Sequence, residues 1–260
     1  MRGGRPPGGR LLACLLLSLI AGSAGAQNAD RRSGYHDMSP PVQAMQDDDI
    51  ANPGMLWVLD GQTMWSRRQG IAAKSCADCH GAISSMAGVA QRYPAFSGGS
   101  SRPIDLEQRI NLCRTDNQKA EAFAHESKEL LSLTAAVARQ SREQPIAPPA
   151  DPRLTSFVQA GADLFTQRQG QLNLSCAQCH DDNPGRKLAS ATIPQAHPVG
   201  YPIYRLEWQS VGSLQRRLRN CLIGMRAEPY AYGAPEYVDL TLYLMNRARG
   251  MPIEAPGVRP

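Results

Sequence analysis

The chain is organised around a pentapeptide that occurs twice, first as Cys76-Ala77-Asp78-Cys79-His80 and again as Cys176-Ala177-Gln178-Cys179-His180. Both copies have the pattern C-x-x-C-H, which marks the covalent attachment of c-type haem. Two cysteines three positions apart can each form a thioether with a vinyl group of one porphyrin, and the histidine that follows supplies a nitrogen to the iron. A redox pair of cysteines or half of a zinc site does not require histidine at that position.

The two motifs predict two covalently attached haem c groups in one chain. One such pentapeptide can arise by chance, whereas two of them in a chain with export features are not expected to. The thioether cysteines are Cys76, Cys79, Cys176 and Cys179, and the axial histidines on the two irons are His80 and His180.

The first 26 residues have the composition of a secretory signal. Three arginines precede an apolar run from Leu11 to Ile20, and small residues follow that end in Ala24-Gly25-Ala26. This pattern predicts cleavage after residue 26 and export to the periplasm. The apolar run is too short to span a bilayer, and no later stretch approaches that length, so we expect no membrane span. Cys14 lies inside the signal and is expected to be discarded with it.

The remaining chain is close to electrically neutral. Removing the three arginines of the signal leaves 25 of the 28 basic residues, against 23 acidic ones. This balance does not favour a nucleic acid as partner, and the length suits two small domains. Two cysteines, Cys113 and Cys221, lie outside the haem motifs. In an exported protein the default for two spare cysteines is a disulfide.

An internal repeat argues against that disulfide. Residues 65–80 match residues 165–180 without a gap, at an offset of 100 positions. Further on, Leu106 to Cys113 matches Leu214 to Cys221 at an offset of 108, so each lone cysteine has the same place in its own repeat. A bond between them would draw both away from their own haems.

The repeat predicts an all-α fold of two tandem cytochrome c-like domains, each with one haem. We expect helices at 55–68, 130–137 and 238–245, and a helix capped by Asp151 whose buried stripe consists of Phe157, Gly161, Leu164 and Phe165. Strand signals are weak. The predicted segments are the signal (1–26), a polar, irregular extension (27–53), the first domain (54–140), a Pro-rich linker (141–150) and the second, catalytic domain (151–260).

Methionine is the usual sixth iron ligand of an electron-transfer cytochrome c. Met225 follows the second haem motif and is a candidate there. In the first repeat the nearest candidate, Met86, stands six residues after His80, which is too close to reach the opposite face of the iron. Methionine therefore cannot be the sixth iron ligand at equivalent positions in both repeats.

Cysteine serves both repeats at equivalent positions. We therefore predict Cys113 and Cys221 as the sixth ligands, with Met225 as the alternative at the second iron. Thiolate donates electron density and lowers the reduction potential. Two histidines outside the motifs, His125 and His197, do not align in the repeat and are expected on the surface or around the ligands.

The stretch from Arg217 to Arg226, which reads R-x-x-x-C-x-x-G-M-R, resembles the dihaem SoxA subunits of SoxAX cytochromes. The resemblance covers the chain beyond the signal and implies an L-cysteine S-thiosulfotransferase of periplasmic thiosulfate oxidation. Such an enzyme joins thiosulfate oxidatively to a cysteine of a SoxYZ-like sulfur carrier. It works as a heterodimer with a SoxX-like monohaem subunit. The resemblance implies that Cys221 is the active-site residue, with a possible persulfide on its sulfur. It also implies that Arg217 binds the substrate anion.

The charge near Cys221 agrees with that assignment. Five arginines lie close to Cys221 in sequence, namely Arg205, Arg216, Arg217, Arg219 and Arg226. Guanidinium groups bind oxyanions through charge-assisted hydrogen bonds. Arg109 stands four residues before Cys113, as Arg217 does before Cys221. A haem propionate or a solvated helix face is therefore the alternative partner of Arg217.

Two other functions remain open from the sequence. One is a dihaem electron-transfer cytochrome without sulfur chemistry, which would place Met225 on the second iron. The other is a dihaem peroxidase, which would need one iron with a labile face.

The motifs generate a prediction about cofactor content. We expect the exported protein to carry two covalently bound haems and to lack residues 1–26, since both thioether pairs are complete. Intact-mass spectrometry of the periplasmic protein measures both. A mass with one haem, or with none, would contradict the assignment of the two motifs.

Overall fold

The structure is a computed structural model that describes residues 1, 3–4 and 31–260. The predicted signal, including Cys14, otherwise lies outside the described residues. Helices dominate, and the two repeats have the same order of elements. Among the described ranges no helix is long and apolar enough to cross a membrane.

The first repeat consists of four helices and one hairpin, preceded by a helix of the N-terminal extension. In chain order the helices are α1 (Pro40–Asp47), α2 (Met55–Ser66), α3 (Ala77–His80), α4 (Leu106–Cys113) and α5 (Lys128–Arg139), and the antiparallel strands are β1 (Ala95–Ser97) and β2 (Arg102–Ile104). Short 3-10 turns lie at Gly34–Asp37, Ile83–Met86 and Ala90–Arg92, and a π-helical turn at Arg114–Gln118 follows α4.

The second repeat has the same order. Its helices are α6 (Thr155–Thr166), α7 (Cys176–His180), α8 (Leu214–Gly224) and α9 (Pro235–Arg247), and its strands are β3 (Lys187–Leu188), β4 (Ala191–Thr192), β5 (Ile203–Arg205), β6 (Ser210–Gly212) and β7 (Gly257–Arg259). Strands β3 and β4 form a small hairpin, while β5 pairs with β6 antiparallel and with β7 parallel. Asp151 caps the 3-10 turn Pro152–Leu154 that leads into α6.

The long helices pair in the same way in both repeats. Helix α2 packs against α5, and α6 packs against α9. A glycine allows each close approach, because a Cβ atom on Gly61 would lie 2.1 Å from the carbonyl oxygen of Ser132. A Cβ atom on Gly161 would lie 2.1 Å from that of Asp239. The buried stripe of α6 is narrower than expected, with Gly161 and Phe165 buried.

The N-terminal extension and the hairpins differ from the expectations. The extension is not irregular, since α1 lies within it and packs against β7. The buried side chain of Gln46 in α1 accepts a hydrogen bond from the backbone N–H of Val258 at 2.9 Å, which fixes this packing. The hairpins β1–β2 and β5–β6 were also not expected, because strands of three residues are too short to show a period of two.

The segment predicted as a linker is packed between the repeats. Pro145 pairs with Pro252, its equivalent in the second repeat, and Ile146 is 1% exposed. The backbone N–H of Ile146 donates to the carbonyl oxygen of Met251 at 2.9 Å, and that of Gly250 donates to the carbonyl oxygen of Ile146 at 2.8 Å. Residues 32–260 accordingly form one compact unit.

A cavity of about 100 Å³ lies on this shared interface. Its lining joins equivalent residues of the two repeats, such as Tyr93 with Tyr201 and Glu107 with Gln215. Glu107 is 8% exposed. Burial, followed by the charges of Asp105 and Glu126, raises the pKa of Glu107 well above its usual value. The first repeat therefore holds a buried carboxyl group where the second has a neutral amide.

This carboxyl group predicts a pH-dependent stability. Between the usual glutamate pKa and its raised value, the folded state holds a proton that the unfolded state has released. Stability therefore falls as pH rises through that window. Glu107→Gln, which installs the residue of the second repeat, removes this loss. We expect the difference in melting temperature, variant minus wild type, to increase between pH 5 and pH 8. A difference independent of pH would contradict the prediction.

Candidate haem centres

Each haem motif is a capped single helical turn. In the second motif the Ser175 hydroxyl accepts a hydrogen bond from the backbone N–H of Gln178 at 3.3 Å, and the Gln178 side chain accepts one from the backbone N–H of Ser175 at 2.9 Å. Ser75 and Asp78 make the same reciprocal pair in the first motif. Residues three apart lie on one face of a helix, so the capped turn presents both cysteines of each motif on the same side.

The loop before each motif docks against the end of the helix that carries the lone cysteine. Gly70 has φ of +69° and Gly170 has φ of +70°. A Cβ atom on Gly70 would lie 2.1 Å from the carbonyl oxygen of Gln118, and one on Gly170 would lie 2.2 Å from that of Met225. Only glycine fits both the backbone angle and the close contact. These glycines therefore hold the motif and the lone-cysteine helix side by side.

The first centre is a cavity of about 600 Å³. Its walls combine the groups of the first motif with the lone cysteine and with apolar side chains. They include Cys76, Cys79, His80, Met86, Arg109, Cys113, Leu133 and Val137. Trp65 adds an indole ring 5.8 Å from the imidazole of His80. The thiols, the imidazole and the mostly apolar walls fit a covalently attached porphyrin, so this cavity can hold haem.

The second centre has a histidine prepared for an iron. Nδ1 of His180 lies 2.6 Å from the carbonyl oxygen of Pro194. Because a carbonyl oxygen only accepts, Nδ1 carries the proton and Nε2 keeps its lone pair. Burial lowers the pKa of His180, and this favours the neutral ring that a metal needs. The chemistry of this residue fits the axial role that the sequence predicts.

The lone cysteines lie beside the motif cysteines of their own repeats. Burial, and then the charge of Cys221, raise the pKa of the Cys176 thiol to about 11. Burial, and then the charge of Cys113, raise that of Cys76. The six described cysteines are free thiols, so Cys113 and Cys221 are not joined to each other.

The competing ligand candidates differ from one another in their surroundings. Met225 is 8% exposed and packs in a cluster with Phe165 and Leu222. His125 stacks on Tyr232 with 6.2 Å between the ring centroids. His197 is half-buried, and its Nδ1 lies 3.0 Å from the carbonyl oxygen of Arg32. Met86 lies on the wall of the first cavity.

The five arginines near Cys221 in sequence divide into two groups. Arg216 lies over the Trp208 ring at 4.3 Å, Arg219 over the Tyr232 ring at 4.6 Å, and Arg226 is exposed. Arg205 also lies over the Trp208 ring, at 5.3 Å, and both Arg205 and Arg217 interact electrostatically with Cys221. Of the five arginines, Arg205 and Arg217 therefore supply the positive charge that acts on the Cys221 sulfur.

Arg217 is half-buried and forms no ion pair with a carboxylate of the described residues. Burial works against its charge, but the charges of Cys221, Tyr201 and Glu207 prevail and raise its pKa. Arg217 thus stays cationic beside the sulfur of Cys221.

Sequence reasoning missed a tyrosine at each centre. Tyr201 is coupled electrostatically to Arg217, Arg205 and Cys221, and burial raises its pKa. Its equivalent, Tyr93, borders both the first cavity and the cavity between the repeats. The signal was present as a Tyr-Pro pair at the 108-residue offset, upstream of the segment used to align the repeats.

The chain is similar to a family of sulfur-oxidising cytochromes. A family model described as SoxA/TsdA, cytochrome c domain, matches residues 60–146 and again residues 160–253. The L-cysteine S-thiosulfotransferase subunit SoxA of Rhodovulum sulfidophilum is 34% identical over 239 residues, which cover 90% of this chain and 83% of that protein. The corresponding subunit of Pseudaminobacter salicylatoxidans is 34% identical over 229 residues, covering 87% and 80%. The crystal structure of SoxXA from P. pantotrophus matches with a TM-score of 0.86 and 29% identity, over 90% of each chain.

Proposed function

Because this chain belongs to the SoxA/TsdA cytochrome c family, we propose that it is the subunit of an L-cysteine S-thiosulfotransferase that acts on thiosulfate. The relatives named above carry that activity in their names, and they match most of the chain. The single observation that supports it most directly is that Arg217, a half-buried cation, stands one helical turn before Cys221 on α8. The family also confirms the predicted fold class of two cytochrome c-type segments, which are mainly helical.

We propose two haem c groups, held by the cysteines and histidines of the two motifs, with Cys113 and Cys221 as the sixth ligands. The matched family supports haem c, and the lining of the first cavity supports its place there. When bound, each haem supplies an iron that can tune a coordinated sulfur and exchange electrons. The equivalent places of the two cysteines in the repeats favour cysteine over methionine.

Arg217 would bind the substrate. A half-buried cation without a carboxylate partner bears a desolvation cost that an anionic ligand can offset. Thiosulfate is a dianion whose oxygens match the donors of a guanidinium group. Arg217 would thus hold thiosulfate beside the sulfur of Cys221, one helical turn away on α8.

Cys221 would form the first new bond. Its thiolate sulfur joins the outer sulfur of thiosulfate, and two electrons leave to an acceptor. The cysteine thiolate of the carrier then attacks that outer sulfur and displaces the Cys221 thiolate, so that the carrier keeps the thiosulfate group. The exchange step follows ordinary thiol–disulfide chemistry.

The partners follow from the same chemistry. The matching crystal structure is a SoxXA complex, which supports a heterodimer with a SoxX-like cytochrome. A monohaem subunit of this kind would take up the two electrons one at a time and pass them to a further acceptor. The carrier would be a SoxYZ-like protein with a reactive cysteine. We place the reaction in the periplasm, with residues 1–26 as the export signal.

The ligand assignment predicts the spectrum of the second haem. Met225→Leu removes the competing thioether but keeps the volume of a packed side chain, so the spectrum should remain almost unchanged. Electron paramagnetic resonance and visible absorption should show low-spin thiolate signatures at both irons. Loss of a methionine–iron charge-transfer band in this variant would instead favour a dihaem electron-transfer cytochrome.

The catalytic assignment predicts the effect of two substitutions. Cys221→Ala should abolish transfer of thiosulfate to the carrier, since no sulfur remains to form the first bond. Covalent haem should be retained, because Cys176 and Cys179 hold it. Arg217→Ala should mainly weaken substrate binding, since it removes charge-assisted hydrogen bonds worth about 1.5–3 kcal/mol.

The assay is transfer of thiosulfate to the purified carrier, with the SoxX-like subunit and an electron acceptor present. Arg216→Ala is the matched control for Arg217→Ala, because its guanidinium lies over Trp208 and donates to the Ser210 hydroxyl at 3.2 Å. Full transfer activity in Cys221→Ala would refute the assigned active site and leave the electron-transfer reading as the better account.

A further inference from the structure

The hydrogen bond behind the second axial histidine depends on a segment that comes later in the chain. Nδ1 of His180 lies 2.6 Å from the carbonyl oxygen of Pro194 and donates its proton to it. Such a bond raises the basicity of an imidazole toward a metal on its other nitrogen. Its strength depends on how firmly the carbonyl is held against the ring. The residues that hold the segment of Pro194 therefore affect how strongly His180 donates to an iron.

Arg247, the last residue of helix α9, joins that segment to the haem motif. Its Nη2 donates to the Asp181 carboxylate at 2.6 Å and to the carbonyl oxygen of Gln195 at 3.4 Å. Asp181 directly follows His180, and Gln195 directly follows Pro194. One guanidinium group thus binds the neighbours of both partners in the histidine hydrogen bond.

The Arg247 guanidinium is itself held by packing. It lies over the Phe165 ring at 4.7 Å and over the Tyr243 ring at 5.9 Å, and the Arg247 side chain is 22% exposed. A planar guanidinium stacks on aromatic faces and is preorganised for the hydrogen bonds it forms. Charges that are partly removed from water also attract each other more strongly. Arg247 is therefore a fixed link and not a mobile surface charge.

The N-terminal extension makes the other polar contacts of this segment. The backbone N–H of Arg32 donates to Oε1 of Gln195 at 2.8 Å, and Nδ1 of His197 donates to the carbonyl oxygen of Arg32 at 3.0 Å. These bonds join the segment to the extension, whereas Arg247 joins it to the residue after His180. The two sets of contacts therefore have different roles.

The first repeat has the same turn but a different use of the carbonyl. Gly88 has φ of +73° and Ala196 has φ of +56°, at the offset of 108 positions that also relates the lone cysteines. The same offset makes Met86 the equivalent of Pro194. The carbonyl oxygen of Met86 accepts a hydrogen bond from the backbone N–H of Val89 at 3.0 Å and closes a local turn.

Both partners of the Arg247 ion pair are replaced in the first repeat. Gly81 stands where the second motif has Asp181. Gln140 stands where α9 has Arg247, at the offset of 107 positions that relates the two paired prolines. The Gln140 side chain donates to the carbonyl oxygen of Ala136 in its own helix at 3.2 Å. Within residues 31–260 the ion pair thus belongs to the second repeat alone.

A tryptophan holds the first motif in a different way. Nε1 of Trp65 donates to the carbonyl oxygen of Gly81 at 2.9 Å, whereas the equivalent ring in the second repeat, Phe165, has no donor. This bond fixes the end of the first motif on α2. Arg247 instead holds the end of the motif together with the segment that accepts the histidine proton.

We propose that Arg247 is a positioning residue of the second haem centre, which holds the Pro194 carbonyl against His180 through Asp181 and Gln195. This inference rests on the second haem of the proposed function and gives the second repeat a means of tuning its iron that the first repeat lacks. A more strongly donating histidine stabilises ferric iron and lowers the reduction potential. Arg247 therefore lowers the potential of the second haem, although it is a cation.

The test is a redox titration of the complete chain with both haems and its SoxX-like subunit, in which electron paramagnetic resonance follows each haem. Arg247→Gln should raise the reduction potential of the second haem and leave that of the first haem unchanged. The sign is decisive, because the loss of a nearby positive charge by itself lowers a haem potential. A fall, or no change, would mean that Arg247 does not act through the histidine and would overturn the proposal.

Arg249→Gln is the matched control. It removes a positive charge from the same end of α9, where the exposed guanidinium donates to Oδ1 of Asn246 at 2.9 Å. A rise equal to that of Arg247→Gln would show that the link to the segment is not the cause and would overturn the proposal. Arg247→Lys keeps the charge but loses the planar fork of donors, so its potential should lie between those of the wild type and Arg247→Gln. If Arg247→Gln does not retain both haems, an unchanged potential in Arg247→Lys overturns the proposal instead.

Hydrogen exchange gives a readout that does not depend on the potential. In the fully reduced protein with isotope-labelled histidine, nuclear magnetic resonance follows the Nδ1 proton of His180. Arg247→Gln should speed its exchange with solvent roughly ten-fold, which corresponds to the loss of one ordinary hydrogen bond. An unchanged rate would overturn the proposal. A wild-type protein without haem on Cys176 and Cys179 would instead refute the proposed second haem, and intact-mass spectrometry shows this before the titration.

Discussion

The structure depends on the docking of each haem motif against the helix that carries the lone cysteine. Gly70 and Gly170 make this contact possible, since their positive φ angles and the nearby carbonyl oxygens leave no room for a side chain. The contact brings two separate parts of the chain around one centre: the motif, with its two cysteines and its histidine, and the helix with the lone cysteine. Because the same docking occurs in both repeats, the two centres have similar architectures.

The two centres differ in the turn after the lone-cysteine helix and in the last residue of the hairpin strand. One additional residue between Cys113 and Lys119, relative to Cys221 and Arg226, coincides with the π-helical turn after α4. A single inserted residue is the usual origin of such a turn. On the other side of each centre, the hairpin ends in serine in the first repeat and arginine in the second. Similar backbones therefore present different side chains at this position.

The interface between the repeats binds them into one unit rather than two linked domains. Pro145 and Pro252 pair across it, and the cavity beside them is lined by equivalent tyrosines, Tyr93 and Tyr201. Each tyrosine also belongs to its own centre, through the wall of the first cavity or through its electrostatic contact with Cys221. The exception to the symmetry is Glu107, whose buried carboxyl group faces Gln215 and gives the interface its expected sensitivity to pH.

The sequence alone determined the repeat, the two haem motifs, the mainly helical fold and the equivalence of Cys113 and Cys221. These features are local: a motif needs fixed spacing, and a helix shows its period in the positions of its apolar residues. The tertiary structure decided which of the nearby arginines face the sulfur. Along α8, Arg216 and Arg217 are neighbours, but helical geometry turns one over Trp208 and the other toward Cys221. The packing of residues 141–150 and the hairpin that positions Arg205 also depend on contacts between distant segments, which a local pattern does not record.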